Sequence, residues 1–582
     1  MKRQFLLFLM YFSFLSLNAQ KKEQVKDTIK TEIVNIITKY NPKIADAKKI
    51  KKNPKIELLK KNEKKKLKYT ILSTPVASTF IPKNGALKSM NNPVKEQIYK
   101  NYIAAGFGNF TTPYFETFLY HNTHLKNEFG FNATYVASQD NVKNSVLNSH
   151  FSNFNTGFFY KQQERSFAWK IGLNSERNLY NWYGLPKKVF TVPTIISIDE
   201  AQIYNYFQLV GTFNFKDSYL DYGEIKTSYF ADRFKSNEVL ITLDAKLDFP
   251  LTAIHPILND ISLKTGIAFL KGEFKNSYED FNSLKYAINT IRLNPQYKIN
   301  YKDFIFKAGI RLITSLDSEN NSNNVFVLPD FFFQQSILKN YLTLYGDFSG
   351  DLHTNTYKDF VEENAYISPT LFITQTLEKS NLSIGFKGVI NKKIRFNLKA
   401  SYKEEEDKPL FLRNSSKSDG TNTTVNDKKL KGYEYGNSFH VIYDDVKTTS
   451  IFTELSYEYS KNISFDLDGI YNIYTLENAI SPWNLPRLEA SFSSRYKNKK
   501  WAASTNIFYV GERKDALYTK NNNIETLPSF VDANLNGSYQ FNNKFSAFLK
   551  LKNILNTAYQ RFANFNTQGF QILGGITYQF DF

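Results

Sequence analysis

The chain has 582 residues and a formal net charge of +19, with 16% aromatic and 22% charged residues. It contains no cysteine, which excludes a disulfide framework, a thiolate metal site and a lipid-modified N-terminal cysteine. Six histidines and three methionines leave little material for a metal or haem centre.

Residues 1–19 have the three parts of a secretory signal peptide. Lys2 and Arg3 form a basic start, residues 5–17 form an apolar run, and Ala19 offers a small residue at the cleavage point. This run is shorter than the roughly 20 residues of a membrane helix. No later segment approaches that length without charges, so a mature chain in a membrane must cross it as a β-barrel.

Residues 20–97 form a short Lys-rich segment with no sustained hydrophobic period. Between residues 21 and 70, 17 lysines stand against six acidic residues, a net charge of +11. We predict a partly disordered periplasmic segment that contacts periplasmic or outer-membrane protein partners, or lipid phosphates, through residues 21–97. Lys-rich runs also bind nucleic acid, but the export signal places this one outside the cytoplasm. No nucleic-acid partner is therefore predicted.

From residue 98 to the end of the chain, apolar and polar residues alternate. The alternation is plain in residues 239–249, 304–312 and 531–541. A soluble sandwich has the same period, but it would normally divide into smaller domains with linkers, and none is visible after residue 98. The apolar faces also approach the 9–11 residues that a strand needs to cross a bilayer. The sequence predicts an all-β fold over 98–582, a transmembrane antiparallel β-barrel of about 22 strands (range 18–24).

The clearest strand is the last one, residues 569–582. Aromatic and aliphatic residues occupy one face, and polar residues occupy most of the other. We expect the apolar face to contact outer-membrane lipid. Its members are Phe570, Ile572, Ile576, Tyr578, Phe580 and Phe582.

Short polar turns and longer loops are predicted to alternate along the barrel, as in outer-membrane proteins. The turns are 461–462, 497–500 and 542–544, and the loops are 177–200, about 404–436, 476–487, 512–528 and 556–568. The acidic runs at 404–407 and 444–445 could hold Ca²⁺ at the cell surface. A solvated acidic loop is the favoured interpretation.

No catalytic or cofactor site is predicted. His121 and His124 are three residues apart in a predicted short loop, but no third ligand is near them in the sequence. No nucleophile motif, phosphate-binding loop or framed pair of carboxylates is present. We therefore predict that the protein is not an enzyme and holds no metal or cofactor.

The last hundred residues resemble the closing hairpins of TonB-dependent outer-membrane receptors. The resemblance is carried by residues 485–487, 509–513, 530–535, 551–559 and 576–582. Asn553, Asn556 and Tyr559 match the family's turn and the tyrosine that follows it. The resemblance implies a receptor barrel in the cell outer membrane, whose terminal Phe582 is read by the barrel-insertion machinery.

The resemblance covers the barrel only. Members of the family place a plug domain before the barrel, whereas about 77 residues precede it here and contain no plug-like Gly-Arg motif. The leading hypothesis is a receptor or transport barrel without a plug, which captures a small or oligomeric nutrient on its outer loops. The alternative is a non-transport scaffold or accessory subunit of an outer-membrane assembly, export or surface complex.

Overall fold

The computed structural model describes residues 101–123, 126–186, 188–251, 258–279, 282–516 and 524–581. The predicted signal peptide (1–19), the basic segment (20–97), His124 and Phe582 lie outside the described residues. Among the residues described, no helix is long and apolar enough to cross a membrane.

Twenty-two of the described strands form one antiparallel sheet that closes on itself, because the first strand pairs with both the second and the last. The predicted all-β barrel of about 22 strands is confirmed. Its strands are β1 (Asn101–Gly108), β2 (Thr112–Thr123), β3 (Asn127–Ser138), β4 (Phe151–Gln163), β5 (Phe167–Asn181), β6 (Ala201–Phe215), β7 (Leu220–Asp232), β8 (Asn237–Pro250), β9 (Leu258–Phe274), β10 (Leu284–Tyr301), β11 (Phe304–Asp317), β12 (Ser322–Leu338), β13 (Leu342–Thr354), β14 (Gln375–Asn391), β15 (Ile394–Arg413), β18 (Phe439–Ser460), β19 (Ile463–Leu476), β20 (Leu488–Lys497), β21 (Trp501–Val510), β24 (Phe530–Gln540), β25 (Phe545–Lys552) and β28 (Gln571–Phe580).

Smaller elements lie in the connections between barrel strands. Three of them are two-stranded hairpins, and two are short helices. They are β16 (Thr424–Val425) with β17 (Lys428–Lys429), β22 (Arg513–Ala516) with β23 (Ile524–Leu527), β26 (Gln560–Phe562) with β27 (Phe565–Asn566), and the helices α1 (Val192–Ser197) and α2 (Tyr357–Glu363).

The alternation in the sequence becomes an outer and an inner face of the barrel wall. In β11, Ile310 and Leu312 are exposed on the outside, whereas Ile313 and Ser315 are buried on the inside. The same outward belt of exposed aliphatic and aromatic residues recurs around the barrel. A continuous apolar belt of this kind is what a lipid bilayer covers.

Aromatic side chains collect at the end of the barrel that holds residues 101 and 580. Trp501 lies 4.6 Å from Tyr539, and Phe545 lies 4.8 Å from Tyr578, measured between ring centroids. Phe541 is exposed beside them. These rings form part of an aromatic girdle at a membrane–water boundary.

The two ends of the barrel differ in the length of their connections. At the end that holds residues 101 and 580, consecutive strands are joined by two to seven residues. At the opposite end, several connections are much longer, at 139–150, 182–200, 355–374, 414–438, 477–487, 511–529 and 553–570. Short periplasmic turns and long extracellular loops are typical of outer-membrane barrels. We call the end with the long loops the outer mouth.

The last strand closes the barrel. β28 pairs with β25 on one side and with β1 on the other. Ile572, Ile576 and Tyr578 are exposed on its outer face, and Phe570, just before the strand, is exposed as well. Phe580 is partly covered and stacks on Tyr578, with 5.5 Å between the ring centroids. The predicted alternation of this strand is present in the structure.

The acidic runs do not lie in loops, and that prediction is wrong. Residues 404–407 lie within β15, and residues 444–445 lie within β18. These strands have 20 and 22 residues, more than the 9–11 that cross a bilayer, so their polar ends continue beyond the apolar belt. There Glu404 pairs with Lys447 of the neighbouring strand at 3.4 Å. His121 is likewise in a strand, β2, and not in a loop.

Candidate functional site: the outer mouth of the barrel

A large hydrophobic cluster fills part of the outer mouth. It contains 19 buried residues, most of them aromatic. We call it the mouth cluster, and its members are Trp182, Tyr204, Phe230, Leu270, Phe274, Tyr286, Tyr357, Phe360, Val361, Tyr366, Ile367, Leu371, Ile373, Phe411, Tyr433, Phe439, Val441, Phe562 and Phe565.

The mouth cluster reaches across the barrel. Tyr204 belongs to β6, whereas Phe411 and Phe439 belong to β15 and β18. These strands are nine and ten positions from β6 in a ring of 22, so they stand almost opposite it. Five further members lie on barrel strands β7, β9, β10 and β18, and the others come from outer loops that start at different points of the ring, including 182–200, 355–374, 414–438 and 553–570. The loops therefore fold inward and meet over the lumen.

Helix α2 bridges the two sides, and its local sequence explains why it forms. Thr356 is the N-cap, and its hydroxyl accepts a hydrogen bond from the N–H of Asp359 at 3.0 Å. Tyr357, Phe360 and Val361 follow at helical spacing and are all buried on one face. Such spacing places three side chains on one side of a helix.

The buried face of α2 contacts two separate parts of the barrel wall. The ring of Tyr357 packs edge-on against Phe230 of β7 at 5.0 Å and against Phe274 of β9 at 4.9 Å. The ring of Phe360 packs edge-on against Phe411 of β15 at 6.0 Å. Because one helix touches both parts of the wall, its position fixes the arrangement of the mouth cluster.

Two buried carboxylates hold the first turn of α2. The Glu238 carboxylate accepts hydrogen bonds from the N–H of Tyr357 at 2.7 Å and of Lys358 at 3.2 Å. It also accepts one from the Tyr286 hydroxyl at 2.7 Å. The Tyr357 hydroxyl donates to Asp232 at 2.9 Å. A carboxylate at a helix N-terminus is stabilised by the free N–H groups and by the helix dipole.

Ion pairs complete this anchor. Lys358 contacts Glu176 of β5 at 2.9 Å and Glu362, one turn further along α2, at 2.6 Å. Burial acts to lower the pKa of Lys358, but the two carboxylates outweigh it and raise the pKa above its usual value. Burial also raises the pKa of the Tyr357 hydroxyl far above its usual value. Lys358 therefore stays charged and Tyr357 stays protonated at neutral pH.

Loop 182–200 joins three other loops through close contacts. The Trp182 indole N–H donates to the carbonyl of Tyr366 at 3.1 Å, and the Asn437 amide donates to the carbonyl of Trp182 at 2.6 Å. A Cβ on Gly184 would lie 2.4 Å from the ring of Phe565. The absence of a side chain at this glycine permits the contact between loops 182–200 and 553–570.

The hairpin β22–β23 attaches to the mouth through buried charges. Asp515 is fully buried and accepts hydrogen bonds from the N–H of Ala516 at 2.8 Å and of Ala563 at 3.4 Å. Burial raises the pKa of Asp515 to about 6, although Arg413 and these N–H groups oppose the shift. The guanidinium of Arg513 donates to two carbonyls of the next loop, at residues 560 and 561. Loops 511–529 and 553–570 thus form one polar network.

The residues that match the family's turn lie at the outer end of β25. Asn553 and Asn556 have left-handed backbones, with φ of 46° and 50°, which asparagine tolerates better than most residues. The Asn553 side chain donates to the carbonyls of residues 557 and 568. The ring of Tyr559 stacks on Phe530 at 3.9 Å, and its hydroxyl donates to Asp532 at 2.7 Å. They anchor loop 553–570 to the wall.

A small open cleft lies beside the mouth cluster, with a cavity volume of about 60 Å³. Loops 139–150, 182–200 and 553–570 form it. One of its lining residues, Leu185, also packs in a second hydrophobic cluster with Leu147, Ile198, Leu430 and Tyr435. Over the ranges that the structure describes, no three His, Asp or Glu side chains are grouped as metal ligands would be.

No family model matches the sequence, and no curated protein matches it. Solved structures do match the fold. The barrel has the fold of TonB-dependent outer-membrane receptors. The FrpB iron transporter of Neisseria meningitidis aligns with a TM-score of 0.62 at 9% identity, over 83% of this chain and 81% of that one.

Two other receptor-fold structures give the same result. The ferric-catecholate import receptor Fiu of E. coli K12 aligns with a TM-score of 0.61 at 9% identity, over 83% of this chain and 82% of Fiu. The ferric enterobactin receptor PfeA of Pseudomonas aeruginosa aligns with a TM-score of 0.60 at 9% identity, over 83% and 80%. At this identity the comparison establishes the fold. The receptor fold and its apolar belt place the protein in the outer membrane.

Sequence reasoning found the last outer loop but missed the centre of the mouth. The structure places Asn553, Asn556 and Tyr559 at the outer end of the wall, where the Asn556 side chain accepts from the N–H of Phe570, just before the final strand, and Tyr559 contacts β24. It places the bridging helix in loop 355–374, which the sequence reasoning did not predict. The signal that could have found it is Thr356 followed by Asp359, with apolar residues at 357, 360 and 361, which is a capped helical turn.

Proposed function

We propose that this protein is an outer-membrane import receptor that captures a small or oligomeric nutrient at its outer mouth. The observation that carries the proposal is the inward folding of the outer loops. Together with side chains of the barrel wall, they form a packed cluster across the lumen. An open 22-strand barrel would be a pore wide enough to pass small solutes without selection, so loops over the lumen suit a selective receptor. The similar folds of proteins named as iron transporters and import receptors support the same proposal.

Conductance in planar bilayers tests the proposal. We would compare the full chain, a chain without residues 21–97, a chain with residues 355–374 replaced by a flexible linker, and the double variant. A receptor predicts almost no current from the full chain and the largest current from the double variant. The two single variants show how much the basic segment and the loops each block.

The other outcomes separate the alternatives. A large steady current from the full chain would contradict a selective receptor. No current from any variant, together with stoichiometric co-purification of another outer-membrane protein, would support the scaffold or accessory-subunit hypothesis instead. In that case residues 21–97 would be tested next as the docking arm.

A further inference from the structure

A small cavity lies inside the barrel at the end opposite the outer mouth, and we call it the inner cavity. Strands β1, β2, β21, β24, β25 and β28 form it together with the turn 497–500. Most of its side chains face the lumen, because they alternate along the strands with residues that are exposed on the outer face. Phe115 is such a neighbour of Glu116, and Leu549 is such a neighbour of Lys550. The inner cavity is therefore open to solutes in the lumen and closed to lipid head groups.

The lining of the inner cavity is strongly basic. Among the described residues, it contains four lysines and a single carboxylate. The lysines are Lys497, Lys499, Lys500 and Lys550, and the carboxylate belongs to Glu116. The first three lysines are exposed and lie at the rim. Such an excess of positive charge favours an anionic ligand.

Lys550 is the buried lysine of this set. The residue is 8% exposed, and its amine lies over the rings of Tyr114 and Phe548, at 4.0 Å and 5.1 Å from their centroids. Within the described part of the chain, no oxygen atom forms a hydrogen bond or an ion pair with this amine. A buried charge is costly unless it is paired. An anion in the inner cavity supplies the missing partner.

Hydroxyl groups add uncharged donors to the same cavity. Ser538, Ser546 and Thr577 line it from three adjacent strands, β24, β25 and β28. Their hydroxyls form no hydrogen bond with any other residue that the structure describes. A hydrogen bond from a hydroxyl to an ionised oxygen is short and about twice as strong as one between neutral groups. The cavity thus offers both amine and hydroxyl donors to an oxyanion.

The size of the inner cavity limits that oxyanion. Its volume is about 60 Å³. A water molecule needs about 10–15 Å³ of such space, so the cavity has room for about four to six non-hydrogen atoms. A phosphorus atom with four oxygens is of this size. Lysines also bind phosphate as point charges, whereas planar carboxylates are matched by the fork of an arginine.

Glu116 provides a means to distinguish phosphate from sulfate. Its carboxylate accepts hydrogen bonds from the hydroxyl of Tyr102 at 2.6 Å and from the hydroxyl of Tyr114. A carboxylate has about four acceptor positions, so it can accept a further hydrogen bond. Inorganic phosphate retains a P–OH proton at neutral pH, whereas sulfate has no proton to donate. A lining of many donors and one acceptor therefore matches phosphate.

We propose that the inner cavity binds inorganic phosphate. Lys550 and the three hydroxyls donate to its oxygens, Glu116 accepts its remaining proton, and the lysines at the rim attract it. The inference goes beyond the proposed import function, because this site lies at the periplasmic end of the lumen and is separate from the outer mouth.

Calorimetry on the purified full chain, in a maltoside detergent and a phosphate-free buffer at neutral pH, tests the proposal. We expect one inorganic phosphate to bind per chain. Lys550→Met keeps an apolar stem over the two rings and removes the amine, so it should weaken binding by about tenfold or more. The double variant Ser546→Ala/Thr577→Val removes two hydroxyls and should weaken binding by about threefold to tenfold. It changes small side chains only, so it remains informative if Lys550→Met does not fold.

The matched control is Lys264→Met, which removes a lumen-facing lysine on β9, almost opposite β25 in the ring. It should leave the affinity unchanged. Wild-type protein should bind sulfate about tenfold more weakly than phosphate, and Glu116→Gln should abolish this difference. No phosphate binding, equal affinity of the wild type for both anions, or full affinity in the folded Lys550 and double variants overturns the proposal. Tighter binding of glycerol 3-phosphate overturns inorganic phosphate as the ligand and indicates a phosphate ester. The bilayer currents decide the import function separately.

Discussion

The barrel wall and the mouth cluster use the same residue types in opposite ways. In the wall, Ile310 and Ile576 point outward and remain exposed on the protein surface. In the mouth cluster, Tyr357 and Ile367 are completely buried by other parts of the chain. Lipid is as apolar as the wall's side chains, so the wall is held by its hydrogen-bonded ladder. The mouth cluster lies in loops that are surrounded by water and not by lipid, so the hydrophobic effect stabilises it.

Because different forces stabilise the two regions, the mouth cluster can unfold while the barrel wall stays folded. A local unit that is held by its own side-chain packing can open while the rest of the fold persists. Changes in the mouth cluster should therefore free the outer loops and leave the barrel ladder intact. The following predictions test that separation.

Tyr357→Ala should have the largest effect. It removes a fully buried ring that packs on two barrel strands, together with the hydrogen bond to Asp232. Large-to-small changes of this kind cost about 3–5 kcal/mol. Hydrogen–deuterium exchange in nanodiscs should speed up in loops 355–374 and 182–200. Phe372→Ala, which truncates an exposed ring in the same loop, is the control and should change little. Equal acceleration in the barrel strands would show that wall and mouth are one unit.

Gly432→Ala should also open the mouth. A Cβ at this position would lie 1.7 Å from the carbonyl oxygen of Asp199, so the two loops must separate. Overpacking of this kind costs about 1–3 kcal/mol. Trypsin should then cleave faster after Lys428 and Lys429, which are exposed in the same loop. Gly223→Ala is the control, because its Cβ would meet open space in β7. An unchanged cleavage rate would contradict the tight contact.

Glu238→Gln should weaken the anchor of α2. All three groups that bond to the carboxyl group are donors, so an amide group in its place leaves one contact repulsive. The cost should be about 1–3 kcal/mol. Near-ultraviolet circular dichroism of the aromatic cluster should melt at a lower temperature. Glu362→Gln changes a mostly exposed partner of Lys358 and should shift the melting by far less. Equal shifts would assign no special role to the buried carboxylate.

The smallest effect concerns pH and Asp515. Its folded pKa is raised to about 6 by burial, above the unfolded value near 3.8. Between these pH values the folded loops bind more protons than the unfolded loops, so the contribution to stability is full below about pH 4 and is lost as pH rises through 6. Exchange in residues 511–516 should therefore slow as pH falls from 7 to 5, after correction for intrinsic exchange rates. Asp515→Asn should remove this dependence, and its persistence would point to another group.

The barrel could be predicted from the sequence because its rule is local. The alternation at residues 239–249 or 570–580 is set by the two faces of a strand and needs no knowledge of the rest of the fold. The outer ends of β15 and β18 could not be predicted in the same way, because their residues are polar on both faces. Above the bilayer they have no lipid-facing side, and their lysine and glutamate partners lie on neighbouring strands.

The mouth could not be predicted because its contacts join distant parts of the chain. The Trp182 indole N–H donates to the carbonyl of Tyr366, and the ring of Tyr183 packs edge-on against Phe565. No periodic pattern in the sequence predicts contacts between residues so far apart in the chain. Helix α2 has only seven residues, which is less than two full turns. Its apolar spacing therefore does not repeat, although the cap at Thr356 can be read from the sequence.

The pairing of β28 with β1 joins the two most distant strands of the barrel. The Asn109 side chain bonds to the carbonyl of Phe570, 461 residues along the chain. Contacts between such distant residues form slowly, since the chain between them must first be confined. We therefore expect the seam to form after the pairings between consecutive strands. A chain that ends before β28 would leave an open sheet with two bare edges, and such edges invite aggregation.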